Sequence, residues 1–173
     1  MQQQPSLDDL ARIPIGRWPT PAVLLERVSE RAGVEIWAKL EERCGAWGGN
    51  KVRKLEYWLA ASGAAGRHRL VTVGAGASSW TAATVVHGAR LGFDVSIGLA
   101  GPVPEPYEEL YARSGARTTR LPNDRLMPLL YPLLRPRARL GGAAFLPAGG
   151  SGGWGDVGSM RAGIEIFEAH SSG

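Results

Sequence analysis

Leu70-Val71-Thr72-Val73-Gly74-Ala75-Gly76-Ala77-Ser78-Ser79 is the stretch on which the fold turns. Four residues of buried-strand character run into a glycine-rich turn, and the serines open a run rich in small residues that reads as a helix over 78–91. Downstream the same alternation continues. Strand patterns at 95–99, 117–121 and 143–147 are separated by helical patterns at 106–114 and 124–134, the second interrupted by Pro128 and Pro132. A second glycine-rich stretch, 149–158, then leads to a last helix at 159–169. Strands alternating with helices imply a parallel sheet with right-handed crossovers, an α/β fold. In such sheets ligands sit at the carboxyl ends of the strands. Both glycine-rich turns, Gly74 to Ser79 and Gly149 to Gly153, lie between a strand and a helix and offer backbone N–H groups to an anion or a planar ligand.

Upstream, 24–33 reads as a short helix, 34–38 as a strand and 41–50 as a polar loop ending in Gly48-Gly49-Asn50. From Lys51 to Ala64 the spacing is helical, with Val52, Leu55, Trp58 and Leu59 on one face. Trp37 and Trp58 are expected in the core, whereas Trp18, Trp47 and Trp154 fall in loops able to border a cleft.

The 173 residues suit one ordinary domain or part of a larger two-domain fold. With 44% hydrophobic and 21% charged residues, a packed core is feasible and global disorder is not expected. No apolar run approaches the roughly 20 residues that span a bilayer, and the first ten residues show no secretory pattern. The single cysteine, Cys44, excludes an internal disulfide framework and suits a reducing compartment, so the cytoplasm is the expected location. Of the 20 basic residues three are lysines, leaving 17 arginines. They are scattered apart from Arg53-Lys54 and the Arg135/Arg137/Arg139 alternation, read here as a solvated loop; no contiguous basic face for nucleic acid is visible. His68, His87 and His170 are too dispersed to suggest a metal centre.

Gly48-Gly49-Asn50-Lys51-Val52-Arg53-Lys54-Leu55-Glu56 is the stretch with the most chemistry. Three cations crowd the first turn of a helix, the end whose dipole disfavours positive charge. Such crowding depresses a lysine's pKa and raises the share of neutral amine, the form that attacks an aldehyde. A flexible basic loop running into a helix is the plainer alternative. A dinucleotide site is a weaker competitor: Gly74-x-Gly76 opens a helix and Asp94 lies 20 residues on, but Ser79 replaces the third glycine and Asp94 precedes its strand.

Residues 48–57, Gly-Gly-Asn-Lys-Val-Arg-Lys-Leu-Glu-Tyr, resemble the signature of the D-cysteine desulfhydrase and aminocyclopropane-carboxylate deaminase family, fold type II pyridoxal-phosphate (PLP) enzymes similar to the tryptophan synthase β subunit. Arg17-Trp18-Pro19-Thr20-Pro21, Ile36-Trp37-Ala38-Lys39-Leu40-Glu41-Glu42 and Gly149-Gly150-Ser151 followed by Ile164-Glu165-Ile166 resemble other family segments in the same order. The resemblance implies a three-layer α/β/α fold, the cofactor pyridoxal 5'-phosphate, and a lyase or deaminase acting on a small amino acid. It implies Lys51 as the cofactor-bearing lysine and Ser78 as a catalytic neighbour. Asn50, Gly76 and Ser79 are expected beside the cofactor, and Ser78, Ser79 and Trp80 beside the substrate. Ser78 also reads as a helix N-cap, and the two roles are compatible.

The family usually has Gln-Ser-Asn where this chain has Ala77-Ser78-Ser79, so a hydroxyl stands where an amide commonly meets the cofactor's phenolic oxygen. Trp80 is bulkier than the residue it replaces. Family members are about twice as long, and the later glycine-rich phosphate loop has no counterpart here. The resemblance thus divides the chain into 1–55, part of the larger domain with the lysine loop; 56–152, a small α/β domain; and 153–173, the start of an incomplete remainder. Gly74-Ala75 leans toward the desulfhydrase branch. A homodimer, or a second polypeptide completing the fold, is the expected assembly. A truncated pseudoenzyme or inactive partner subunit is the alternative.

Overall fold

The computed structural model describes residues 6–121 and 127–171. A short antiparallel pair comes first: β1 (Ala22–Leu24) and β2 (Trp37–Lys39), with helix α1 (Glu26–Ala32) between them in sequence. Helix α2 (Asn50–Ala64) leads into the alternating part: β3 (Arg69–Ala75), α3 (Ser79–Arg90), β4 (Asp94–Ala100), α4 (Glu105–Arg113), β5 (Arg117–Leu121), α5 (Met127–Leu140), β6 (Ala144–Phe145) and α6 (Trp154–Ser171). Strands β3 to β6 are all parallel, in the order β5-β4-β3-β6, and helices flank the sheet.

The periodicities explain the core. Leu70 and Val73 of β3 and Val95, Ile97 and Leu99 of β4 are buried, as the central position of these strands requires. Val52, Leu55 and Leu59 of α2 join them on the expected face, with Trp58 partly buried beside them. Small residues let α3 lie close to the sheet: Ala82, Ala83 and Thr84 are buried, and a Cβ on Gly88 would stand 2.9 Å from Val95 Cγ2.

The strand order locates the ligand-binding end. From β3 the chain steps outward to β4 and β5, then returns through α5 to place β6 on the other side of β3. The order therefore reverses between β3 and β6, and the carboxyl ends of these two strands frame a crevice. Both glycine-rich turns follow these strands.

Four expectations need correction. The last helix starts at Trp154, not at 159, because Gly155 and Gly158 serve close approach and not turning. A Cβ on Gly158 would lie 2.6 Å from the Arg53 carbonyl oxygen, and one on Gly155 would lie 1.7 Å from that of Gly150. The segment carrying Arg135, Arg137 and Arg139 is helical, not a loop; α5 continues to Leu140, with these arginines exposed along it. The expected start of that helix at 124 lies outside the described residues. Leu24 ends β1 and α1 begins at Glu26. Trp37 is 58% exposed rather than in the core, since a two-stranded pair cannot cover both of its faces. Among the described residues no helix is long and apolar enough to cross a membrane.

Candidate active site

The first turn leaves β3 at Ala75 and enters α3 at Ser79. Ser78 is the N-cap, with extended backbone and an Oγ that accepts from Thr81 N–H at 3.4 Å. Gly76 N–H donates to Ala100 O at 2.9 Å, and a Cβ on Gly76 would stand 1.9 Å from Pro102 O, so only glycine lets the two βα turns approach. The buried Tyr111 hydroxyl shares a hydrogen bond with Thr81 Oγ1 (2.9 Å) and donates to Gly76 O (3.5 Å). Ser79 lies exposed in the first helical turn, where free N–H groups and the helix dipole favour an anion or an electron-rich oxygen.

The second turn, Ala148–Gly150, packs against α2, α3 and β3. Gly149 and Gly150 take φ of 66° and 68°, the left-handed region that glycine tolerates. Beneath Gly150 lies the Trp80 indole, 2.5 Å from the position a Cβ would occupy. The indole N–H donates to Thr72 Oγ1 at 2.8 Å, and that hydroxyl donates to Leu146 O at 2.8 Å, tying β3 to the end of β6. At 1% exposure Trp80 supports the crevice floor from below; it presents no open face to a substrate, contrary to the expectation.

Lys51 reaches this turn from the first turn of α2. Its Nζ lies 3.7 Å from where a Cβ on Gly149 would stand, so the absent side chain makes room for the amine. Burial lowers the Lys51 pKa, and the neighbouring Lys54 charge lowers it further. Lys54 Nζ donates to Ser151 Oγ at 3.2 Å and Trp58 Nε1 to Gly150 O at 3.2 Å, holding α2 and the turn together. Asn50 is exposed at the start of α2, beside Lys51 in sequence. Half-buried and with its pKa lowered, the Lys51 amine is suited to attack a carbonyl brought into the crevice.

Arg53 contributes differently from the expectation. It does not press on Lys51 but points to the opposite side of α2, where it is 3% exposed. Its Nε and Nη2 grip Glu41 at 2.6 and 2.9 Å, and its Nη1 and Nη2 grip Glu165 at 2.7 and 2.6 Å. Lys39 Nζ meets Glu165 at 2.8 Å, Thr20 Oγ1 donates to Glu41 at 2.8 Å, and the guanidinium lies 3.8 Å over the Trp18 ring. Burial pushes the Glu165 carboxyl up, but hydrogen bonds from Arg53 and Lys39 more than offset it and hold the pKa below its usual value. One turn along, buried Glu56 accepts from Ile15 N–H, Gly16 N–H and Trp18 Nε1–H, all at 2.9 Å, and pairs with Arg12 at 3.1 Å. The lysine motif therefore has two sides: Lys51 and Lys54 face the crevice, while Arg53 and Glu56 anchor the N-terminal segment and α6. Sequence reading missed this anchoring, although Arg53 and Glu56 share the three-residue spacing that puts side chains on one helix face.

His87 and Cys44 also lie in the interior. His87 is buried in the last turn of α3, and burial lowers its pKa. Cys44 is buried in the core and burial raises its pKa, which favours an inert thiol.

The family description "Pyridoxal-phosphate dependent enzyme" matches residues 13–172, nearly all of the chain. The chain belongs to this family. A putative 1-aminocyclopropane-1-carboxylate deaminase of Pyrococcus furiosus is 30% identical over 171 residues, covering 95% of this chain and 52% of its own length. A D-cysteine desulfhydrase of Klebsiella pneumoniae is 32% identical over 179 residues, covering 94% and 54% respectively. The crystal structure of an ACC deaminase homologue superposes with a TM-score of 0.80 at 29% identity, over 93% of this chain and 51% of that one. Escherichia coli diaminopropionate ammonia lyase, at 14% identity and a TM-score of 0.72, shares the fold. The chain spans about half the length of the curated relatives it matches. The fold type II architecture inferred from the sequence is thus shown.

The residues present suit the family's cofactor. PLP is an aldehyde, and a lysine amine of lowered pKa lies above a turn that carries no side-chain obstruction at Gly149. The N-terminus of α3, with its two serines, follows the neighbouring strand of the same crevice.

Proposed function

We propose that Lys51 bears pyridoxal 5'-phosphate and that the complete protein is a PLP-dependent lyase or deaminase acting on a small amino acid. The observation that carries this reading is the half-buried Lys51 amine, with lowered pKa, over a positive-φ glycine turn at the point where the strand order reverses. Asn50 and Gly76 border the cofactor, and Ser79 donates a hydrogen bond toward its ring oxygen. Ser78 contacts cofactor or substrate while capping α3. When bound, the cofactor supplies an electron sink for charge at the adjacent substrate carbon. With D-cysteine the Lys51 amine, freed by the substrate amine, would take the proton from that carbon as sulfide leaves the next one; aminocyclopropane-carboxylate has no proton there, and Lys51 would instead exchange protons at the adjacent ring carbons. D-cysteine and water would give pyruvate, sulfide and ammonia; aminocyclopropane-carboxylate and water would give 2-oxobutanoate and ammonia.

Residues 1–55 and 153–173 belong in this reading to a larger domain and 56–152 to a smaller one. Assembly is as a homodimer or with a completing polypeptide, in the cytoplasm. The enzyme names of the relatives favour catalysis over an inactive partner role. The test supplies PLP with D-cysteine or aminocyclopropane-carboxylate and follows pyruvate, sulfide and 2-oxobutanoate. Product from one substrate, abolished by Lys51→Ala, is expected. Equal product from Lys51→Ala, or none from any small amino acid, overturns the reading.

A further inference from the structure

Arginines that are dispersed in the sequence are gathered by the fold. In a parallel sheet with helical crossovers, the amino ends of the strands and the carboxyl ends of the helices lie together, opposite the crevice. Arg69 opens β3 and Arg117 opens β5, while Arg90 ends α3, Arg113 ends α4, and Arg137 and Arg139 lie in the last turn of α5. Arg67 precedes β3, and its Nη1 stands 4.0 Å from where a Cβ on Gly142 would be. Arg69 Nη1 donates to Gly141 O at 3.2 Å, and its Nε faces Asp94 at 3.9 Å. Arg117 meets the same carboxylate at 3.0 Å, so this line runs unbroken from Gly142 to β5. Arg67 is half-buried and the other six are exposed.

Little opposes this charge. In the described residues 65–121 and 127–145 the acids are Asp94, Glu105, Glu108 and Glu109. The three glutamates fall in the first five residues of α4, toward the other end, and Glu108 pairs there with Arg120. Among these residues Asp94 alone faces the seven arginines, which leaves an excess of six positive charges. Helix dipoles explain an arginine at the close of α3, α4 or α5. They do not explain Arg67, Arg69 and Arg117 at strand starts, because strand dipoles nearly cancel.

Two apolar side chains stand in the same face. Leu140, beside Arg139, is 90% exposed, and Leu91, beside Arg90, is 41% exposed. The crossovers through α3 and α5 run in opposite directions, so these helices lie on opposite faces of the sheet and the leucines flank the arginines. Guanidinium forks match phosphate oxygens, and basic side chains combined with apolar ones supply the two forces that hold a protein on an anionic bilayer. A nucleic acid would offer phosphates but leave the leucines in water. The exposed aromatic residues able to stack on bases, Trp37, Trp47, Trp154 and Phe167, lie on other elements.

We propose that the amino end of the parallel sheet docks on an anionic phospholipid surface. Arg69, Arg117, Arg137 and Arg139 meet headgroup phosphates, and Leu91 and Leu140 enter the boundary with the acyl chains. The Lys51 crevice, at the carboxyl ends of β3 and β6, then opens away from the lipid toward water.

The test sediments the chain with vesicles of phosphatidylglycerol and, separately, of phosphatidylcholine, in about 0.1 M salt. Binding to the anionic vesicles alone is expected, and about 1 M salt should release it. Arg137→Gln with Arg139→Gln should weaken binding by about 30-fold, and Leu140→Ser by about tenfold. These side chains are exposed, so the variants should keep the circular dichroism of the parent. Met160→Ser with Phe167→Ser, exposed apolar residues of α6, should bind normally. No binding, equal binding to both lipids, or loss through the α6 substitutions and not the arginines overturns the proposal. A short DNA duplex that displaces the vesicles and binds Leu140→Ser as tightly as the parent assigns the face to nucleic acid and overturns it too. The two ends of the sheet can be tested apart. Vesicle binding without PLP trapping at Lys51 sinks the proposed function alone, and trapping without vesicle binding sinks the lipid surface alone.

Discussion

Replacing Arg53 by methionine should destabilise the fold by about 3–4 kcal/mol. The guanidinium makes four hydrogen bonds of 2.6–2.9 Å to two carboxylates and is 3% exposed, while Glu41 and Glu165 are themselves mostly buried. Removing one partner from a buried ion pair costs about 3–5 kcal/mol because the other charge stays behind uncompensated. Here the lower part of that range applies. Glu165 keeps Lys39 and Glu41 keeps the Thr20 hydroxyl, each at 2.8 Å. Loss of the stack on Trp18 adds up to about 1 kcal/mol, and the apolar methionine stem recovers part of it. With a urea slope of about 2 kcal/mol/M, the midpoint should fall by about 1.5–2 M. Arg53→Lys, which keeps the charge but not the planar fork, should lose about half as much and serves if the methionine variant does not fold. A double-mutant cycle with Glu165→Gln should return a coupling of about 1.5–3 kcal/mol. A loss below about 1 kcal/mol for Arg53→Met, or additive single mutants, would refute the clamp.

Thr72→Val keeps the shape of the β3 side chain but leaves Trp80 Nε1 and Leu146 O without their partner; thermal or urea unfolding should show a loss of about 1–3 kcal/mol. Acid should weaken the fold through Glu165. Its folded pKa lies below the unfolded value of about 4.3, so its contribution is complete above that pH and disappears as pH falls through the lower folded value. Stability measured from pH 6 downward to about 3 should therefore fall less steeply in Glu165→Gln than in the parent. Lys54→Gln removes the charge that helps depress Lys51, so competitive acylation of the Lys51 amine should titrate at higher pH than in the parent.

The alternation of strands and helices was legible because β3, β4 and β6 are short, largely apolar runs closed by turns rich in glycine or proline, and the threonine-rich β5 follows in the same rhythm. The strand order was not. Nothing local in Ala144-Phe145 says that β6 returns to the far side of β3, and that return creates the crevice. The start of α6 was hidden for a related reason: Gly155 and Gly158 look like turn residues until α2 is seen packed against them. The lysine motif was half legible. At 3.6 residues per turn, Lys51 and Lys54 share a helix side, whereas Arg53 lies nearly opposite Lys51. That geometry was available from spacing alone, but its partners, Glu41 and Glu165, come from distant parts of the chain. Trp80 was misplaced because a resemblance transfers sequence positions and not packing; its bulk is absorbed below Gly150.

The central claim is that Lys51, among the three lysines, holds the cofactor. Incubation with PLP, borohydride reduction and peptide mapping test it directly. The account predicts one pyridoxyl adduct, on Lys51, absent in Lys51→Ala and formed more readily than at Lys39, which is tied to Glu165, or at Lys54, which stays beside Ser151. Labelling spread equally over Lys39, Lys51 and Lys54, or unchanged in Lys51→Ala, would contradict it.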